Sequence, residues 1–360
     1  MRWQQRARLP FLVMAVLALL GALAGGLVRL GWPVPTTPGL VAFHGPLMVT
    51  GFLGTVIGLE RAVALGRLWA YGAPLGCGLG AIALLAGLPG ATSLMAIGVA
   101  VMVAVSVEIV WRQLALFTVV MALGACAWLA GQLLWSVGWP IHRVVFWWVS
   151  FLVLTIAAER LELTRVLRPT PNARRLFVLA SGALLVGAAL TAVDMDLGAR
   201  VTGAALTGLA VWLGIFDIAR RTVRTAGLPR FIGVALLSGY VWLGIAGMLL
   251  LRHGAVAGLP FDAILHAVFL GFVVSMIFGH APIIFPAVLG LRIPYRHRFY
   301  VHLGVLHASL VLRVVGDLAP WPPARLWGGL LNGLAIAVFL VSTGAGALGP
   351  RVEESTPCRG

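Results

Sequence analysis

Residues 114–137 read LALFTVVMALGACAWLAGQLLWSV, a stretch without one charged side chain. At about 1.5 Å per residue, a helix of this length crosses the roughly 30 Å hydrocarbon core of a bilayer. Eleven further apolar runs fall at residues 11–30, 40–60, 69–88, 91–110, 141–162, 176–193, 198–218, 231–251, 262–289, 299–317 and 325–345. Breakers separate them: Gly31 to Pro38, Pro89-Gly90, Pro169 to Asn172, Pro294, and Pro320 to Pro323. The fold class that follows is all-α. We expect a polytopic membrane protein of twelve transmembrane helices, forming one domain over residues 1–345. A short, polar, disordered tail is expected over 346–360.

Composition points the same way. Hydrophobic residues make up 61% of the 360 and charged residues 10%, and the mean hydropathy is +1.01. Lipid offers no water to polar side chains, so a lipid-embedded chain sheds them. The net charge of +15 does not indicate nucleic acid. All 26 basic residues are arginine, and they sit in short loops between apolar runs, where they act as topology signals and meet anionic lipid. With the N-terminus inside, only Arg29, Arg143, Arg200, Arg252, Arg313 and Arg325 fall outside, and the other twenty fall inside. Both termini are therefore expected in the cytoplasm. The basic start (Arg2, Arg6, Arg8), the apolar run and Ala22-Leu23-Ala24 resemble a signal peptide with a cleavage site. The run continues to Leu30, which favours an uncleaved first helix.

Several chemistries lack their residues. Cys77 and Cys126 lie inside apolar runs and Cys358 in the tail, with no Cys-x-x-Cys or Cys-x-x-Cys-His. Glu60, Glu108, Glu159, Glu162 and Asp217 fall at predicted inner helix ends, and Asp194, Asp196, Asp262 and Asp317 at outer ends. Interface salt bridges are expected for them, which weakens a pump or cation-coupled transporter. The glycine series Gly72, Gly76, Gly80, and the pairs Gly21/Gly25 and Gly54/Gly58, suit close helix packing.

Histidine is the informative residue. His44 and His266 lie on the second and tenth helices at similar depth near the outer side, and both helices run from outside to inside. Axial coordination of a haem between helices needs such a pair; a packed polar role is the alternative. His44, Met48, Gly51, Thr55 and Gly58 share one helical face, and the glycines, with Gly271 beside His266, would leave room for a macrocycle. His280 follows His266 by about 21 Å on nearly the same face. With His302 or His307 on helix eleven it would form a second, inner metal site suited to copper, iron or zinc. Hydrogen-bonded core histidines are the alternative there. Arg313 is either a snorkelling arginine or a partner for haem propionates. His142 reads as interfacial, and His253 and His297 as loop residues.

Two segments resemble the NnrS family of haem- and copper-associated membrane proteins. His44-Gly-Pro-Leu-Met48-Val-Thr-Gly51-Phe52 is similar to that family's His-x-His-Glu-Met-x-x-Gly-Phe, with Pro46 and Leu47 replacing the second His and the Glu. His266-Ala267, Gly271, Met276-Ile277 and Gly279 resemble a second family stretch, and Leu312-Arg313-Val314 echoes a third. The resemblance implies haem b, possible copper, a bacterial inner membrane location and a link to nitric oxide stress or denitrification. The His pair on helices two and ten has a weaker analogy to haem-copper oxidase catalytic subunits. A secondary transporter or permease is the competing class, supported by Pro282 and Pro286, which could break helix ten. A cofactor-free assembly subunit is the third. No substrate, reaction or electron-transfer partner follows from the residues.

Overall fold

The computed structural model describes residues 3–35, 37–290 and 293–348. Among these, twelve helices are long and apolar enough to cross a membrane: α1 Leu9–Leu30, α2 His44–Leu65, α3 Leu68–Leu85, α4 Ala91–Arg112, α5 Leu116–Ser136, α6 Ile141–Leu167, α7 Pro171–Leu190, α8 Met195–Phe216, α9 Gly227–His253, α10 Leu259–Val288, α11 Phe299–Leu318 and α12 Pro322–Gly344. No strand occurs among the described residues. The architecture is that of a multi-pass membrane protein. Helices satisfy every backbone group within one segment, which an apolar solvent demands. The face on which α1 begins is called the near face below, and the opposite one the far face.

Helix ends depart from the apolar runs where polar residues belong to the first turn. α7 starts at Pro171 because Thr170 caps it, its side chain accepting from the Ala173 amide. α8 starts at Met195 because Asp194 accepts from the amides of Asp196 and Leu197. The run at 40–60 is two elements. A turn of helix at Pro38–Ala42 ends at Phe43, and α2 begins afresh at His44. The last helix continues to Leu348, into the expected tail. The rest of that tail, with Cys358, Arg351 and Arg359, lies outside the described residues, as do Arg2 and Arg292.

The helices form three consecutive four-helix units. In each unit the last two helices pair (α3 with α4, α7 with α8, α11 with α12), and the units join through α4–α5, α8–α9 and α12–α1. The second helix of each unit, α2, α6 or α10, lies inside and buries the largest share of its residues. All three run in the same direction. This is a parallel threefold layout of the units. The sequence carries its trace at matching positions of the inner helices: Ile57-Gly58-Leu59-Glu60-Arg61, Ile156-Ala157-Ala158-Glu159-Arg160 and Ile277-Phe278-Gly279-His280-Ala281.

Close packing explains the glycine series. A Cβ on Gly76 would stand 2.6 Å from the Gly98 Cα, so α3 and α4 touch backbone to backbone there. α1 is integral to the bundle, with Ala15, Ala18, Leu19, Ala22 and Gly25 buried. Two inner helices change winding midway. Residues Leu47–Gly54 of α2 and Ala267–Val274 of α10 are π-helical, a rare state common at functional sites. In both, a hydroxyl four residues on closes a glycine carbonyl: Thr55 Oγ1 donates to Gly51 at 2.6 Å and Ser275 Oγ to Gly271 at 2.7 Å. Pro282 and Pro286 lie inside a continuous helix, so the prolines do not break α10 as anticipated.

Candidate metal centre

At the far face the first residue of α2 meets the eighth of α10. The imidazoles of His44 and His266 lie 20° from parallel with centroids 6.4 Å apart. His44 Nδ1 is 2.6 Å from the Ala22 carbonyl oxygen on α1, and His266 Nδ1 is 2.8 Å from the Asp262 carbonyl oxygen one turn earlier. A carbonyl only accepts, so each Nδ1 carries the proton and donates. Each Nε2 keeps its lone pair, with no partner among the described residues. Metal-ligating histidines use this arrangement, the outer hydrogen bond fixing tautomer and ring. Two imidazoles on opposite sides of one metal, with metal–nitrogen distances of about 2.0–2.1 Å, hold their centroids roughly 6 Å apart.

Residues that sequence reasoning did not single out position this pair. Gly26 faces the His44 ring, and a Cβ there would lie 2.9 Å from Cε1. The Asp262 carboxylate sits 3.5 Å from His266 Nδ1 and accepts from Arg313 Nη2 at 2.8 Å. Asp262 precedes His266 by four residues, a spacing that could have marked it. Arg313 Nη2 is thus engaged by Asp262, while its Nε is buried without a hydrogen-bond partner. Asp317 pairs with Arg325 at 3.0 Å in the same region and is fully buried.

The flanking expectations divide. The glycines do not open space beside the histidines. Gly51 is closed by Ala18 and Ala81, whose Cβ atoms would lie 3.0 and 2.9 Å from an added Cβ, and Gly271 by Trp242. Both serve helix packing around the π segments. Met48 packs against the core, and Met276 is buried against Gly239 on α9, well down the helix from His266. Space for a planar group must come from between the far ends of α2 and α10, where both imidazoles are half-buried.

The inner histidines do not come together as one site. His280 Nδ1 donates to the Met276 carbonyl at 2.8 Å, and its Nε2 accepts from Arg160 Nη1 at 3.0 Å, so both nitrogens are used. His302 is buried in a cage of Phe278, Phe339, Phe299 and Phe231, with centroids 4.8–6.1 Å away. Its nitrogens have no hydrogen-bond partner. His307 Nδ1 accepts from Trp242 Nε1 at 3.0 Å. The three point to different neighbours because helical spacing fixes depth but not which adjacent helix a side chain faces. No cluster of three or more His, Cys, Asp or Glu suited to a metal ion occurs among the described residues.

Among the acids at helix ends, Glu108, Glu159 and Asp196 pair with arginine as expected, while the Asp217 pair is buried. Arg160 Nε donates to Asp217 Oδ2 at 3.0 Å, and both side chains are almost wholly buried between helices. Arg61 of α2 pairs with Glu159 of α6. The near ends of the three inner helices are therefore linked in series, α2 to α6 and α6 to α10.

One family model spans nearly all of this architecture, matching residues 8–347: Domain of unknown function (DUF8744). The chain belongs to the DUF8744 family. No curated protein matches it. The DUF8744 match runs from α1 through α12, so both His44 and His266, and the Ala22 carbonyl that holds His44, lie within the family's span.

Proposed function

We propose that the chain is a haem-binding membrane protein in which His44 and His266 are the axial pair of one b-type haem at the far face. The observation that carries this reading is the near-parallel imidazole pair, 6.4 Å apart, with each Nδ1 held by a carbonyl and each Nε2 unpartnered. Two protein ligands suit a haem, whose macrocycle brings four equatorial nitrogens of its own; a bare copper or zinc ion usually takes more from the protein. The Asp262 carbonyl keeps the His266 ring in the tautomer that ligation needs, and the carboxylate beside it is oriented by Arg313. Bound there, haem would supply one-electron redox chemistry.

The resemblance to the NnrS family supports placing this activity in nitric oxide stress or denitrification. The resemblance supports a bacterial inner membrane, and the arginine bias supports both termini cytoplasmic, so that the far face is periplasmic. The paired π segments of α2 and α10 favour a permease as the second reading, since irregular winding at matching places on central helices also suits a substrate path. An absorption spectrum of the purified full chain, with its iron and copper content, separates them. A Soret band that is lost or shifted in both His44→Ala and His266→Ala supports the haem reading. Absence of the band in haem-supplied protein, or an unchanged band in either variant, overturns it.

A further inference from the structure

A second feature lies at the near face, away from the histidines. The end of α2 (Leu65, Gly66), the turn to α3 (Arg67) and the end of α4 (Glu108, Trp111, Arg112) line an open cleft of about 590 Å³. Arg112 pairs with Glu108 and donates to the Leu65 carbonyl at 3.3 Å, which fixes its guanidinium at the cleft wall. Arg67 Nε stands 3.7 Å from the same Glu108 carboxylate, and the side chain is 61% exposed. Two guanidiniums thus share one carboxylate, leaving one positive charge uncompensated. The rim is apolar: Leu68 is 91% exposed and Trp111 and Leu114 are each 82% exposed. Such exposure is costly in water and natural where helix ends meet lipid.

We infer that this cleft binds the headgroup of an anionic phospholipid. Arginine donates to phosphate oxygens in a planar fork. Leu68, Trp111 and Leu114 would lie along the acyl chains, which a free phosphate cannot use. Basic pockets at helix ends are a recurrent way of holding anionic lipid. Glu108 opposes the anion, but it also orients both arginines, so its role is to position them. Each arginine contributes about a fivefold preference for anionic over zwitterionic lipid.

Native mass spectrometry of the detergent-purified full chain tests this, with phosphatidylglycerol or phosphatidylcholine added at equal concentration. Wild type should retain phosphatidylglycerol in preference. Arg67→Gln with Arg112→Gln should lose that preference, while Arg174→Gln with Arg175→Gln, a charge-matched change of two exposed near-face arginines, should keep it. Arg67→Gln alone, at an exposed side chain, should lower it about fivefold and serves if the double variant does not fold. Equal retention of both lipids by wild type overturns the assignment. So does an undiminished preference in Arg67→Gln, or displacement of the lipid by millimolar inorganic phosphate, which would mark a site for the free anion.

Discussion

Gly26 of α1 lies against the imidazole of His44, so closely that a methyl group on Gly26 would meet Cε1 at 2.9 Å. The same helix supplies the Ala22 carbonyl that fixes Nδ1. α1 therefore sets where this ring can stand. Gly26→Ala should displace the imidazole while raising intrinsic helix propensity by up to about 1 kcal/mol. The expected outcome is a weakened or shifted Soret band with thermal stability unchanged or slightly higher. A variant that keeps the wild-type spectrum would show that Gly26 does not position the ligand.

Gly51 sits in the π segment of α2 between Ala18 and Ala81, with no space for a Cβ. Gly51→Ala forces α1 and α3 outward, at a cost of about 1–3 kcal/mol for overpacking. Gly182 of α7 has nothing within 4 Å of an added Cβ, so Gly182→Ala should leave the melting temperature unchanged or slightly higher. Equal melting of the two variants would remove the packing role given to Gly51.

The number of spans was legible because an apolar run long enough to cross a bilayer leaves a strong local signal. The ends of α7 and α8 were not, since Thr170, Pro171 and Asp194 belong to polar first turns outside the runs. The His44–His266 meeting was legible as a matter of depth alone. The role of His280 was not, because a residue's depth says nothing about which neighbouring helix it faces; here it faces Arg160 on α6. The threefold layout leaves only a faint trace, the Glu-Arg pairs at 60–61 and 159–160 with His280-Ala281 in the third place, because apolar helices of any repeat look alike in composition.

Orientation has its own test. Gly254 and Asn172 lie at opposite faces, Gly254 following α9 and Asn172 opening α7. Reporter fusions at the two positions should read periplasmic and cytoplasmic respectively, as the arginine bias requires. The reverse pair of signals would invert the topology, and equal signals would contradict the helix count.

Arg61 and Glu159 tie α2 to α6 at the near face, but Glu159 is 37% exposed. Solvent screening therefore limits the pair to about 0.5–1 kcal/mol. A double-mutant cycle with Arg61→Gln and Glu159→Gln, read by thermal unfolding in detergent, should return a coupling of that size. A coupling of several kcal/mol would mean that the pair is shielded far more than its exposure indicates.

The link from α6 to α10 should behave differently because it is buried. Arg160 donates to Asp217 and to His280 Nε2, both at 3.0 Å, and Asp217 also accepts from the Ala219 amide at 2.6 Å. Asp217→Leu strands the guanidinium without its counter-ion, and breaking such a pair costs about 3–5 kcal/mol. Removing the charge as well, with Arg160→Met added, should recover much of that loss, since an apolar replacement of a buried pair is often neutral. His280→Leu leaves one Arg160 donor unpaired, at about 1–3 kcal/mol, whereas His280→Gln retains an acceptor and should cost less. Thermal unfolding of the four variants, with copper content measured alongside, separates a structural histidine from a metal ligand. The expected order of loss is Asp217→Leu, then His280→Leu, then His280→Gln, with copper unaffected. Copper lost in His280→Leu without destabilisation would make His280 a ligand and sever it from the Arg160 network.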